Sequence, residues 1–223
     1  MKKIFFFAAA AIAALTVNAA SFVGFDGRDG SLGTQIHDEG LIQNQVNVTL
    51  KETDTSAHKY SIQNTEAGEI SFTMGGILFK GSDQAAAKDI YKTYNTYIQP
   101  NGARRSVIIP TVAGEKVLIG VQDAVTCAVE GASEGASISF NGWGTDKDVL
   151  NTLTATGTQI VLWSDDRAET PTAAKFKLGA VLPADSQGFE NAGADVKVEK
   201  FYRDGQLIIR KNGVEYNALG AKL

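Results

Sequence analysis

The sequence predicts an all-β protein: an antiparallel β-sandwich of jelly-roll type, closed by a short C-terminal β-meander. Three observations carry that prediction. Short apolar or alternating runs recur at the spacing of brief strands, turn-forming residues stand between nearly all of them, and helical periodicity is almost absent. A parallel sheet is disfavoured on the same grounds, because each parallel pair needs a crossover of a dozen or more residues, generally helical.

The chain of 223 residues opens with Lys2 and Lys3, an apolar run from Ile4 to Val17, and the small residues Asn18, Ala19 and Ala20. A basic start, an apolar core too short for a comfortable membrane span and small residues at the cut describe a secretory signal peptide over 1–19. Cleavage after Ala19 places Val17 and Ala19 at the two positions the peptidase reads, and no cysteine follows to carry a lipid anchor. The expected location is therefore secreted, periplasmic or cell-surface, with no membrane span in the mature chain. About 200 residues remain, enough for one domain with a small appendage.

Asp26-Gly27-Arg28-Asp29-Gly30, with Asp38 beyond it, reads as a turn-rich segment. Its carboxylates lack the Asp-x-Asp-x-Asp-Gly spacing of a calcium loop. Ile70 to Met74 alternates, Gly75-Gly76 interrupts, and Ile77 to Phe79 resumes, which predicts a hairpin or a bulged strand. Only one helix is expected, over Gln84 to Tyr94, capped by Ser82 or Asp83 and led by Ala85-Ala86-Ala87. Strands are expected at Tyr94–Ile98, Ser106–Ile109, Lys116–Val121, Val125–Val129, Ser137–Phe140, Leu150–Ala155, Gln159–Trp163 and Lys175–Leu182. Breaks such as Pro100-Asn101-Gly102, Ala113-Gly114, Asn141-Gly142, Thr156-Gly157 and Asp165-Asp166 separate them.

This places a sandwich domain over 20–183. The Gly-, Ala- and Asp-rich stretch at 184–195 reads as a linker, and 196–223 as the meander, because Asp204-Gly205 and Asn212-Gly213 each separate two alternating runs. In that tail Lys197, Lys200, Arg203, Arg210, Lys211 and Lys222 outnumber Glu199, Asp204 and Glu215, so it is basic where the body is acidic.

Charge and cysteine content narrow the function. The whole-chain charge of −4 becomes more negative when Lys2 and Lys3 leave with the leader, and such a surface repels nucleic acid and anionic lipid. Cys127 is the sole cysteine and sits in the apolar, β-branched run Ala124 to Val129. It reads as a small buried hydrophobe, and the fold has to stand without disulfides.

The tail carries a resemblance. Gly205 to Gly220, with Tyr216-Asn217-Ala218-Leu219-Gly220 following a strand and the Asn212-Gly213 turn, resembles the C-terminal tails of many secreted and surface proteins of the Bacteroidota. The same element resembles the opening of type IX secretion sorting domains, which continue for several more strands. In the body, Val107-Ile108-Ile109-Pro110, Gly114-Glu115-Lys116-Val117 and Lys175 to Ala180 resemble, in strand rhythm, jelly-roll modules attached to polysaccharide-degrading enzymes of the same bacteria. That resemblance implies a non-catalytic, carbohydrate-binding module.

Sugar binding needs aromatic faces flanked by hydrogen-bonding groups. Trp143, in the glycine-rich Asn141-Gly142-Trp143-Gly144, is the leading stacking residue, with Asn141 beside it; a loop tryptophan folded back over a sheet end is the competing account. Tyr91, Tyr94 and Tyr97 form a second aromatic cluster near Arg104-Arg105, of which Arg105 is the candidate ligand group; cross-strand packing is the competing account. Trp163, within Ile160-Val161-Leu162, is expected in the core. No catalytic residue, metal or cofactor is expected. His37 and His58 are isolated in sequence, without metal-ligand spacing, and Asp165 and Asp166, being adjacent, face opposite ways on a strand. The first functional reading is thus a secreted, non-catalytic module whose partner is an oligo- or polysaccharide. The alternative is a structural or adhesive surface protein that engages other surface proteins, and the third is a polysaccharide hydrolase or lyase without a recognisable motif.

Overall fold

The computed structural model describes residues 21–102, 104–164 and 176–184, and the backbone of three strands between 198 and 217. In chain order the body contains β1 (Phe25–Asp26), α1 (Leu32–Asp38), β2 (Ile42–Val46), β3 (Val48–Asp54), β4 (Lys59–Asn64), β5 (Gly68–Met74), β6 (Ile77–Asp83), β7 (Asp89–Thr93) and β8 (Ile98–Pro100). It continues with β9 (Ser106–Pro110), β10 (Lys116–Val121), β11 (Val125–Glu130), β12 (Ser137–Phe140), β13 (Asn151–Thr154), β14 (Gln159–Trp163) and β15 (Leu178–Pro183).

These strands form two antiparallel sheets packed face to face. One runs β13-β10-β15-β8-β7-β4-β3 with β1 added on β15, and the other runs β12-β11-β14-β9-β6-β5-β2. The expected antiparallel sandwich is thus the architecture of the chain. Beyond it, β16 (Val198–Arg203), β17 (Gln206–Lys211) and β18 (Val214–Asn217) form a three-stranded antiparallel sheet. Arg203 pairs with Gln206 and Lys211 with Val214, the spacing of two-residue hairpins. The signal peptide, most of the linker, Asp165-Asp166 and the turn dipeptides of the tail lie outside the described residues.

Alternation explains the pairing. In β5 Ile70, Phe72 and Met74 are buried while Ser71 and Thr73 are part-exposed, and Ile77 and Phe79 of β6 continue the same face. Gly75 and Gly76 take φ of +56° and +83°, the positive values a type I′ hairpin turn requires. Phe72 and Phe79 stack at 5.0 Å, and Tyr91 of the opposite sheet meets both edge-on at 5.4 and 5.6 Å. The Tyr91 hydroxyl proton is shared between the carbonyls of Lys80 (2.7 Å) and Ser106 (3.0 Å), so one side chain ties β7 to β6 and β9.

The helix expected over Gln84–Tyr94 is absent: Gln84–Lys88 form a turn, and β7 follows. Asn64 holds that turn, donating from Nδ2 to the carbonyls of Glu66 and Ala85, both at 2.8 Å, and accepting from Lys88 N–H at 2.7 Å. Ala87 sits at φ +56°, a value no α-helix contains. Three alanines favour a helix by tenths of a kcal/mol each, whereas burying Tyr91 and Ile90 between sheets is worth about 1.5–3 kcal/mol apiece. Packing decides.

The helix that does form, α1, lies in the stretch read as turns. It is only seven residues long and is held by burial of Leu32 and Ile36, one turn apart. Asp29 accepts from the Ser31 N–H (2.9 Å) and hydroxyl (2.6 Å), and Asp26 takes the Arg28 guanidinium at 2.6–2.9 Å, so both carboxylates are engaged. Of Tyr94–Ile98, expected as a strand, only Ile98 is in one, opening β8; Tyr94 to Tyr97 form the turn between β7 and β8, closed by Tyr94 N–H to the Tyr97 carbonyl at 2.8 Å.

Two outcomes are expected. Tyr91→Phe removes a shared, fully buried hydrogen bond and should lower stability by about 1–2 kcal/mol in chemical denaturation; no loss would show that the ring alone ties the sheets. Cys127 is buried, and burial pushes its thiol pKa up to about 12. Native protein at pH 8 should resist alkylation, whereas denatured protein reacts within minutes, which mass spectrometry separates.

Candidate functional site

The residues expected to bind ligand fall into three environments. Trp143 is only 2 % exposed. Its backbone N–H donates to the Val121 carbonyl at 2.9 Å, and Asn151 clamps the loop at Asn141, its Oδ1 accepting from Asn141 N–H (2.8 Å) and its Nδ2 donating to the Asn141 carbonyl (3.0 Å). The ring lies where a Cβ on Gly179 would stand, 2.1 Å from its Cη2, and the Lys147 ammonium sits 5.2 Å from the ring centre. The glycine-rich loop therefore folds the indole inward, and it offers no face to a sugar. Asn141 itself is exposed.

Tyr91 is likewise buried, at 0 % exposure, as an inter-sheet tie. Arg105 is 6 % exposed. Its guanidinium donates to the Ser82 carbonyl and lies 3.6 Å from the Asp83 carboxylate, while its N–H donates to Ser164 Oγ at 3.1 Å. Burial pulls its pKa down, and the neighbouring Asp83 acts against that. Arg105 borders a broad depression with Gln84 and Arg104, which none of the other candidates lines. Trp163, expected in the core, is half-buried, while Ile160, Val161 and Leu162 before it are buried.

Tyr94 and Tyr97 alone of the expected aromatic cluster stand together at the surface. Their half-buried rings stack at 4.5 Å with 28° between planes. Lys177 lies 5.4 Å from the Tyr97 ring and pairs with Asp123 at 2.6 Å. Partial burial raises the Tyr97 pKa, opposed by the Lys177 charge, and the Asp123 contact raises that of Lys177. On the other side Tyr94 borders a cleft of about 220 Å³ lined by Thr53, Lys59, Tyr60, Lys92 and Thr93. Thr93 Oγ1 accepts from Tyr60 N–H at 2.8 Å, and Lys59 pairs with Asp54 at 3.0 Å. An aromatic edge, two hydroxyl-bearing walls and two ammonium groups suit a hydroxyl-rich ligand.

Nearby is a group that sequence reasoning missed. His37 and His58, isolated in sequence, stack at 4.0 Å with 24° between planes. His37 Nδ1 is 2.6 Å from Asp38 Oδ1, and His58 Nδ1 is 2.9 Å from Glu52 Oε1. Tyr60, which lines the cleft, has its hydroxyl pKa raised by burial first and then by the charges of Glu52 and Asp38. No local motif announces the pair; the chain's holding only these two histidines is the one sequence signal.

No protein-family model, curated protein or solved structure matches the chain. What fold and site define is a two-sheet antiparallel β-sandwich with a polar, aromatic-edged cleft at one end. Among the described residues no helix is long and apolar enough to cross a membrane.

The Asp38 hydrogen bond raises the His37 pKa above its ordinary 6.5, and Glu52 adds to the effect. A raised folded-state value means that the Asp38 contact favours the fold most at pH below 6.5 and fades as pH rises through the folded pKa. With Asp38 and Glu52 as its charged neighbours and the His58 ring stacked on it, His37 should titrate above 6.5 by NMR in the presence of EDTA. Asp38→Asn should move the midpoint down; an unmoved midpoint rejects this assignment.

Proposed function

We propose that this protein is an exported, non-catalytic β-sandwich module that binds oligo- or polysaccharide at the end of the sandwich where Tyr94 and Tyr97 stack. The observation that carries this reading is the surface position of that pair beside the Thr53, Lys59, Tyr60 and Lys92 cleft. An aromatic face takes the C–H side of a pyranose while hydroxyl and ammonium groups take its hydroxyls. The inward placement of Trp143 and Tyr91 moves the expected contact surface to this turn. Export rests on the leader at 1–19, and a bacterial surface location rests on the resemblance of the tail.

Binding to an array of plant and host polysaccharides tests the reading. Tyr94→Ala is expected to weaken retention about tenfold, the worth of about 1.4 kcal/mol of stacking. Trp143 variants are not informative here, because that ring packs inside. Retention unchanged in Tyr94→Ala and Tyr97→Ala, or no retention by the parent on any glycan, would overturn the assignment.

A further inference from the structure

We infer that His37, His58 and Glu52 form a binding site for a divalent transition-metal ion of the zinc class, separate from the carbohydrate reading and independent of it. One donor atom from each of the three lies within 4.8 Å of the others. Two imidazoles and a carboxylate are the donor set that suits zinc, with metal–nitrogen distances of about 2.0–2.1 Å and a fourth position left open.

The fold brings these groups together by a specific device. Glu52 is on β3, His58 follows it in the turn before β4, and His37 closes α1. The helix reaches that turn at Gly33, where a Cβ would fall 2.5 Å from the Ala57 carbonyl oxygen and 2.9 Å from that of His58. Gly33 and His37 are four residues apart and share a helix face, so the close approach of one sets the other over His58. Leu32 N–H, donating to the Asn95 carbonyl at 3.0 Å, fixes the other end of the helix. The chain's two histidines, 21 positions apart, thus meet by construction of the fold.

A hydrogen bond prepares His37 as a ligand. A carboxylate on Nδ1 holds an imidazole in the tautomer whose Nε2 lone pair faces outward, the arrangement of metal-bound histidines, and Asp38 does this for His37. Glu52 is itself a donor: its Oε1 lies 2.9 Å from His58 Nδ1, so that nitrogen and that carboxylate sit side by side and take the ion in place of the hydrogen bond between them. Ring planes stacked at 4.0 Å send their in-plane lone pairs side by side, so a shared ion is gained by turning one ring out of the stack. His37, with its side chain 46 % exposed, is the ring with room to turn, while His58 and Glu52, at 28 % each, are the better held. The negative charge of the whole chain favours a cation at such a position.

Titration of untagged, full-length mature protein with Zn²⁺ alone, read by calorimetry and by the ring-proton NMR signals of the two histidines, tests the site. One equivalent per chain is expected, shifting both histidines together with no change in oligomeric state. His37→Gln and His58→Asn should each weaken uptake at least about tenfold, and Asp38→Asn about tenfold through loss of the orienting carboxylate. Asn suits the φ of +45° that His58 adopts, so that variant keeps the turn. Gly33→Ala, which touches no donor atom but would press a Cβ on the Ala57 and His58 carbonyls, should also weaken uptake by lifting α1 from the turn, with the β-sheet circular dichroism of the sandwich retained. Absence of saturable uptake, uptake equal in the His37→Gln/His58→Asn double variant, or zinc-driven dimerisation without a one-to-one complex would each overturn the inference.

Discussion

The contact on which the rest of this structure depends is the one between Tyr91 and the Phe72–Phe79 pair. It joins the two sheets through β7 on one side and β5 and β6 on the other, with Tyr91 edge-on to both rings and its hydroxyl set on carbonyls of the facing sheet. The single cysteine is buried and unpaired, so no covalent bridge shares the task of holding the layers together. Each sheet therefore needs an unbroken apolar face, and the core supplies one from Phe25 and Ile62 through Val107, Ile119 and Leu162 to Val181. A polar hydroxyl at such a depth is tolerable because it is hydrogen-bonded, and it adds direction to a contact that apolar burial alone would leave free to slide.

That central tie also fixes what happens at one end of the sandwich. With Tyr91 locked between the layers, β7 leaves the core at Thr93 and turns back through Tyr94–Tyr97, and β4 beside it brings Lys59 and Tyr60 to the same level. Helix α1 is too short to be stable alone and borrows its order from Leu32 and Ile36 against the core and from the Asn95 carbonyl. Cleft, tyrosine pair and histidine pair are thus held on the ends of strands whose positions the core sets.

The sequence made some of this legible and concealed the rest for identifiable reasons. Strands β9 to β12 and β14 are apolar or alternating runs bounded by glycine and asparagine, and both hairpins of the tail announce themselves by Asp-Gly and Asn-Gly. Strands β2 and β3 escaped because they lie at sheet edges, where Gln43, Asn44 and Gln45 are exposed and ladder bonding replaces burial. The Ala85–Ala87 run misled because propensity is weak beside the pull of a buried tyrosine. Of the binding residues, the spacing of three tyrosines was readable but their split was not: Tyr91 is on a strand, Tyr94 and Tyr97 on a turn. Trp143 looks exposed beside two glycines, yet the room for its ring is provided by Gly179, far along the chain. Only the folded chain joins them.

Tyr60 lies where the two surface features meet. It lines the cleft beside Tyr94, and burial first, then the charges of Glu52 and Asp38, raises its hydroxyl pKa. A buried hydroxyl beside two carboxylates stays protonated and donates to Glu52, so it helps to hold that side chain at the sheet edge. Its backbone N–H, donating to Thr93 Oγ1 at 2.8 Å, meanwhile ties β4 to β7 where that strand leaves for the tyrosine turn. Both features therefore take their order from the same pair of core strands.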